Sequence, residues 1–180
     1  FEKMTSKRSK GFRAPSFSLN NSSSWILDVL ADNNYVYDSS VMPAKTRLYG
    51  IPNADVKPYR IGSSSLEQDD PKNKILEFPL LTTQLLGYNF PACGGFYLRF
   101  LPLKIIERAI KNNMKKNIPS TFFIHSWELT PEFMQKVNLP FTDNFITYHN
   151  IEKALSKMDS LLKKFEFTSF EKFISKNKLY

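Results

Sequence analysis

The chain is poor in the residues from which metal and redox sites are built, with one cysteine and two histidines among 180 residues. The lone Cys93 excludes an intrachain disulfide and the thiolate-rich class of zinc site. His125 and His149 stand too far apart in the sequence to form the closely spaced pair that marks a zinc site. Any metal would need carboxylates or another chain, and a single cysteine is compatible with a reducing compartment such as the cytoplasm.

Long hydrophobic runs and a signal-peptide pattern are also missing. No stretch reaches the roughly eighteen apolar residues that a membrane span requires, so no span is expected. The net charge of +8 raises the question of an anionic partner, but only the lysines of Lys3–Lys10 are densely clustered. No glycine-rich or aromatic RNA-binding signature accompanies them, which argues against a nucleic-acid partner.

The chain does contain enough apolar material for a core, since 42% of its residues are hydrophobic and sixteen are phenylalanine. Strands are predicted at Gly11–Ala14, Tyr35–Asp38, Ile75–Leu81, Ser120–His125 and Phe165–Thr168. Helices are predicted at Trp25–Asn33, Leu103–Met114, Ile151–Phe165 and Phe170–Lys176, with a long loop between Pro43 and Pro71. Repeated β-α-β units imply parallel strands, hence a layered α/β domain or part of a barrel.

The run Ser120–His125 ends on a histidine, and Trp127 and Glu128 follow it closely. β-Branched and aromatic residues favour a buried strand, and the carboxyl ends of parallel strands carry the substrate sites of α/β proteins. This position makes His125 a candidate catalytic residue. The alternative is a structural histidine that is simply hydrogen-bonded at a strand end.

Other polar residues also follow predicted strands. Arg13 could hold a carboxylate by two parallel hydrogen bonds and so orient a general base, with a surface arginine as the alternative. Asp38 ends the next strand, where an aspartate commonly caps a turn, and this interpretation is favoured.

Three further features have two interpretations each. Glu77 interrupts an apolar strand and needs either a partner or exposure at the strand edge. Gly94–Gly95 marks a tight turn or a close approach of substrate. Trp127 offers a flat apolar face on which a sugar could stack, with a core tryptophan as the commoner case.

Short motifs in a fixed order carry a family resemblance, although each motif alone is weak. The motifs are Gly11–Ser18, Trp25 with Leu27–Ala31, Tyr37–Ser40, Tyr49–Pro52, Glu77–Pro79, Gly94–Gly95 with Tyr97–Arg99, and His125–Glu128. Together they resemble the polysaccharide deacetylases of carbohydrate esterase family 4. More narrowly, they resemble the subgroup found near exopolysaccharide and exosortase loci, which has an extra carboxy-terminal region.

The resemblance implies a distorted (β/α) barrel of which this chain is the later part. It implies a reaction in which a divalent metal ion, generally zinc, assists hydrolysis of an acetyl group from an N-acetylated polysaccharide or oligosaccharide. By matching positions, Arg13 would orient the base and His125 would be the general acid. Trp127 and Asp38 would line the substrate site.

Two motifs of that family are missing from this sequence. The Thr-Phe-Asp-Asp motif supplies the base and one metal ligand, and a His-x-x-x-His segment supplies the other two ligands. Residues 1–180 are therefore expected to be the C-terminal portion of one catalytic domain, opening at Phe1 in a helix already under way and inactive without the N-terminal half. The alternative is a noncatalytic carbohydrate-binding or scaffold module left by truncation.

Overall fold

A computed structural model of the chain describes residues 2–179, so Phe1, and with it the expectation of a helix already under way there, lies outside the described residues. The chain is mixed in helix and strand and divides into two compact units. The first contains the described residues up to Cys93 together with Arg108–Phe122. The second contains Gly94–Glu107 and the described residues from Phe123 onward.

All six strands of the described residues lie in the first unit. They are β1 (Gly11–Phe12), β2 (Tyr37–Asp38), β3 (Tyr59–Ile61), β4 (Ile75–Glu77), β5 (Thr82–Leu85) and β6 (Tyr88–Pro91). Two helices accompany them, α1 (Glu2–Thr5) and α2 (Ile26–Asp32).

Four strands form one sheet in the order β1-β2-β4-β3. The β1–β2 and β2–β4 pairs are parallel, as the repeated β-α-β pattern predicts, and β3 is antiparallel to β4. Because three strands run the same way, the residues that follow β1, β2 and β4 meet at one edge of the sheet. The distorted (β/α) barrel stays a prediction.

An apolar cluster packs against this sheet. Leu27 and Leu30 of α2 belong to it together with Tyr59, Ile61 and Ile75 from β3 and β4. The prediction of an unstructured loop from Pro43 to Pro71 is wrong at β3, because Tyr59 and Ile61 are buried on either side of the half-buried Arg60. That alternation is the burial pattern of a strand at a sheet edge.

The second unit is built from helices. They are α3 (Gly95–Phe100), α4 (Leu103–Lys115), α5 (Ser126–Leu129), α6 (Phe141–Tyr148), α7 (Ala154–Lys164) and α8 (Phe170–Asn177). The residues of α4 are shared between the two units. Among residues 2–179 there is no helix with the length and apolar character needed to span a membrane.

Two predicted strands are absent from the structure. Within Ser120–His125 only Thr121 pairs, in an isolated parallel bridge to Leu80, and Phe165–Thr168 forms no strand. Both segments have the residue types that favour a strand, but a strand also needs a neighbour that continues the ladder. His125 therefore does not end a strand, and instead directly precedes α5.

The sequence analysis also missed the hairpin of β5 and β6. The two strands pair antiparallel from Thr82 with Pro91 to Leu85 with Tyr88. Leu86 and Gly87 form the turn with φ of 50° and 84°. A two-residue turn with both φ values positive fits the twist of the flanking strands, and it is normally built from asparagine and glycine.

Leu86→Asn is expected to raise the free energy of unfolding by about 0.5–1 kcal/mol, because asparagine tolerates the left-handed conformation that costs leucine about 1–2 kcal/mol. The Leu86 side chain is 91% exposed, so little packing is lost. Urea unfolding would measure the change. The exposed Leu48 lacks a positive φ, and an equal gain from Leu48→Asn would contradict the explanation.

Candidate functional site

Polar side chains gather at the sheet edge where β1, β2 and β4 end. Arg13 follows β1, Ser39 and Ser40 follow β2, and Glu77 is the last residue of β4. The backbone N–H of Ala14 donates to Ser40 Oγ over 2.8 Å, which ties the end of β1 to the end of β2. This edge corresponds to the position at which α/β sheets carry their sites.

Ser39 holds the guanidinium of Arg13. Arg13 Nε donates to the carbonyl oxygen of Ser39 and Nη2 donates to Ser39 Oγ, each over 2.7 Å. Ser39 Oγ in turn donates to the carbonyl oxygen of Phe78 over 2.9 Å. Burial lowers the pKa of Arg13, and this is opposed by the nearby acidic groups of Cys93, Glu77 and Asp38. Arg13 is thus a half-buried and oriented arginine, not a surface side chain.

Asp38 and Glu77 form a buried pair of carboxyl groups. They are register partners on β2 and β4, and both residues are fully buried. Ser40 Oγ donates to Asp38 Oδ1 over 2.8 Å, and the backbone N–H of Val41 donates to Glu77 Oε1 over 3.0 Å. Glu77 therefore has hydrogen-bond partners, as expected of a glutamate in an apolar strand. Asp38 lies in a strand and does not cap a turn, so the favoured interpretation of Asp38 is wrong.

Burial favours one proton shared between these two carboxyl groups, because two buried negative charges repel each other. Burial raises the pKa of both carboxyl groups, and for Glu77 the neighbouring charge of Asp38 raises it further. Asp38 Oδ2 has no hydrogen-bond donor among residues 2–179, and a protonated Glu77 beside it can supply one. When two carboxyl groups are buried side by side, ionising both costs a large amount of free energy.

His125 lies in the second unit, just before α5. Its side chain is 56% exposed, and Nδ1 lies 3.1 Å from Glu128 Oε2. The imidazole stacks on the Trp127 indole with ring centroids 5.4 Å apart, and it meets the ring of Phe123 edge-on at 5.6 Å. One ring nitrogen is held by a carboxylate, and Nε2 has no hydrogen-bond partner in the described part of the chain. An imidazole held in this way can exchange a proton with a bound molecule.

Glu128 is fixed by a buried ion pair. Arg99 Nη2 donates to Glu128 Oε1 over 3.0 Å, and the two side chains are 1% and 2% exposed. Arg99 lies on α3, whose last carbonyl groups accept hydrogen bonds from Lys157 Nζ. The carboxylate that contacts His125 is therefore anchored on the neighbouring helix.

Gly94 and Gly95 make room for this arrangement. Gly94 has φ of 88°, and a Cβ there would lie 2.7 Å from the ring of Phe123. A Cβ on Gly95 would lie 1.6 Å from Glu128 Oε2. The glycine pair therefore allows a close approach by side chains of the chain itself, and the close approach of a substrate stays a prediction.

Trp127 and Cys93 are less available than the sequence indicates. One face of the Trp127 indole is covered by His125. Cys93 is fully buried, and burial raises the pKa of its thiol to about 12, which keeps it protonated and inert as a nucleophile.

The predicted site residues fall into two groups. Arg13 and Asp38 share the polar network of the first unit, and His125 and Trp127 share the second unit. The sequence analysis did not select Ser39, Arg99 or Glu128 as site residues. For Glu128 a signal existed, because a glutamate three residues after an N-cap position marks a capping box.

The residues present do not build a metal site. Within residues 2–179 no group of three or more His, Cys, Asp or Glu side chains is arranged to hold a metal ion. The metal implied by the resemblance has no ligand set here, and the expectation that its ligands belong to another part of the protein stays a prediction.

A known family covers most of the chain. The profile of a domain of unknown function, DUF3473, matches residues 39–175. The chain belongs to this family. No curated protein and no solved structure matches the chain. The DUF3473 match includes Glu77, Arg99, His125 and Glu128, whereas Arg13 and Asp38 precede its first residue.

The shared proton makes the stability of this DUF3473 chain depend on pH. Above about pH 4 the unfolded chain ionises Asp38 and Glu77, while the folded chain, with raised pKa values, retains a proton. The free energy of unfolding therefore falls as pH rises. The slope is up to about 1.4 kcal/mol per pH unit for each retained proton, and the decline ends once the pH exceeds the pKa of the folded state.

Glu77→Gln is expected to remove part of this decline, because the amide can donate to Asp38 Oδ2 without holding a titratable proton. Urea unfolding between about pH 4 and about pH 7 should show that the free energy of unfolding of the variant rises relative to that of wild type as pH increases. Glu132→Gln, at an exposed glutamate, is the matched control. A difference between the Glu77 variant and wild type that stays constant with pH would contradict the shared proton.

Proposed function

We propose that this chain forms the later part of a metal-dependent hydrolase that removes N-acetyl groups from a polysaccharide, with His125 as the general acid. The observation that carries the proposal is the imidazole of His125, which is exposed, oriented through Nδ1 by a buried carboxylate, and open at Nε2. The order of motifs that resembles polysaccharide deacetylases supports the same role.

His125 would donate a proton from Nε2 to the amine that departs when the amide bond breaks. An amine leaves as a neutral group only if it is protonated, and a positioned acid typically contributes about 10²–10⁴-fold to the rate. Glu128 accepts the hydrogen bond from Nδ1, so the proton that is transferred comes from the other nitrogen.

Arg13 would orient the base, which lies in a motif that this sequence does not contain. Its guanidinium is already directed by Ser39 and stands at the carboxyl edge of the parallel strands. Asp38 supports this network from within, since it is fully buried and binds Ser40. Trp127 would contribute an apolar surface beside His125 for the sugar ring.

The metal ion of such a hydrolase would polarise the acetyl carbonyl and activate water. Residues 2–179 provide no ligand set for this ion.

The test is acetate release from N-acetylglucosamine oligomers by the protein expressed from its complete natural reading frame, with added divalent ions. His125→Ala is expected to lower kcat about 10²–10⁴-fold, and Arg13→Ala roughly 10–100-fold, as for residues that orient a reacting group. Arg8→Ala is the matched control, because Arg8 is exposed and binds only the carbonyl oxygen of Asn33.

Full activity after both the His125 and the Arg13 substitutions would overturn the role assignments. Sugar binding without acetate release, with every divalent ion supplied, would instead favour a noncatalytic carbohydrate-binding module. In that case Trp127→Ala should weaken sugar binding.

A further inference from the structure

We infer that Glu128 and Arg99 are positioning residues that hold His125 in one tautomer, with the proton on Nδ1 and the reactive lone pair on Nε2. The tautomer follows from the contact between Nδ1 and the Glu128 carboxylate, because the backbone N–H of Glu128 donates to the carbonyl oxygen of His125 over 3.1 Å and so does not require Nδ1 as an acceptor. The catalytic consequence rests on the proposed function. The sequence analysis assigned neither residue to the site.

Glu128 makes two contacts with His125 through the same oxygen. Oε2 accepts from the backbone N–H of His125 over 3.1 Å and lies 3.1 Å from Nδ1 of its ring. A carboxylate has only acceptor atoms, so the ring nitrogen that faces it must carry the hydrogen. In the neutral imidazole this leaves Nε2 as the acceptor.

Arg99 holds the carboxylate of Glu128 in place. Its guanidinium donates to Glu128 Oε1 and to the carbonyl oxygens of Gly95, Ile146 and His149. With its donors committed to α3 and to the end of α6, the guanidinium cannot follow Glu128 if that side chain moves. The position of Oε2 against His125 is therefore set from two helices.

The arrangement exceeds what a helix cap requires. The α5 helix has four residues, and a neutral glutamine at position 128 could accept the backbone N–H of its N-cap residue, His125. A buried charged pair carries a large desolvation cost, and the contact with the imidazole ring is an additional interaction that capping does not explain. Because Gly95 has no side chain, the Glu128 carboxylate can lie against the backbone of α3.

The consequence for catalysis is directional. When His125 is protonated, Nδ1–H stays hydrogen-bonded to Glu128, and the proton that leaves is the one on Nε2. The same nitrogen then regains a proton from solvent before the next turnover. Loss of Glu128 would let the ring turn and would leave either nitrogen to carry the hydrogen.

The direct test is ¹⁵N NMR of the imidazole in the 180-residue chain near neutral pH. In wild type the Nδ1–H tautomer of His125 is expected to exceed the Nε2–H tautomer roughly tenfold or more. A tenfold population ratio corresponds to about 1.4 kcal/mol, and a hydrogen bond to a charged group contributes more than that. A wild-type ring with its hydrogen on Nε2 would overturn the inference without any variant.

Two substitutions test the cause. Glu128→Gln replaces the carboxylate by a neutral amide, whose single oxygen cannot accept from both Arg99 and the N–H groups of His125, so the preference for hydrogen on Nδ1 should fall. Gly95→Ala adds no charge and suits a helix, yet its Cβ would displace the carboxylate. Both variants should lose the tenfold preference, and Glu132→Gln should keep it. An unchanged tautomer in folded Gly95→Ala and Glu128→Gln chains would overturn the inference.

The catalytic arm uses the protein from its complete reading frame. Glu128→Gln is expected to lower kcat roughly tenfold or more, with little change in KM and an altered pH profile, whereas a merely structural residue would leave the profile unchanged. If wild type releases no acetate but the tautomer responds as described, the proposed function fails and the positioning inference stands. If kcat, profile and tautomer all stay unchanged, the inference fails and the proposed function stands.

Discussion

The cost of burying a carboxylate governs both polar clusters of this protein. A carboxyl group in an apolar interior must be protonated or paired with a positive charge. An unpaired carboxylate would lose more hydration free energy than its packing contributes. Glu77 meets this requirement with a proton shared with Asp38, and Glu128 meets it with the guanidinium of Arg99. The two solutions have different consequences, since the first depends on pH and the second pairs opposite charges.

Each cluster positions one side chain that the sequence singles out. In the first unit, Ser39 and Ser40 connect three parallel strand ends and direct Arg13. In the second unit, Glu128 holds the imidazole of His125 and Arg99 holds Glu128. In both, the residue with potential chemistry is partly exposed, while the residues that orient it are buried. Such an arrangement preorganises a reacting group at the expense of polar burial.

The fold was predictable where one local pattern decides the structure. The apolar stripes of α2, α4, α7 and α8 follow helical spacing, and each helix lies within a few residues of its predicted range. The strands β1, β2 and β4 were also predicted, although they are shorter than expected. The segment Ser120–His125 failed because strand propensity is realised only where a neighbouring strand continues the ladder. The β5–β6 hairpin was missed because Leu86 is an unusual residue for its turn.

The sequence by itself determined which residue types were available: an isolated histidine beside a tryptophan, an arginine after a strand, and a glutamate in an apolar run. Only the tertiary structure decided how they are used. Glu77 lies beside Asp38 because of the strand register, and Arg99 lies beside Glu128 because α3 and α5 both pack against α7. Partners of a buried charge are chosen by proximity in space, and sequence separation carries almost no information about that proximity when the residues lie on different elements.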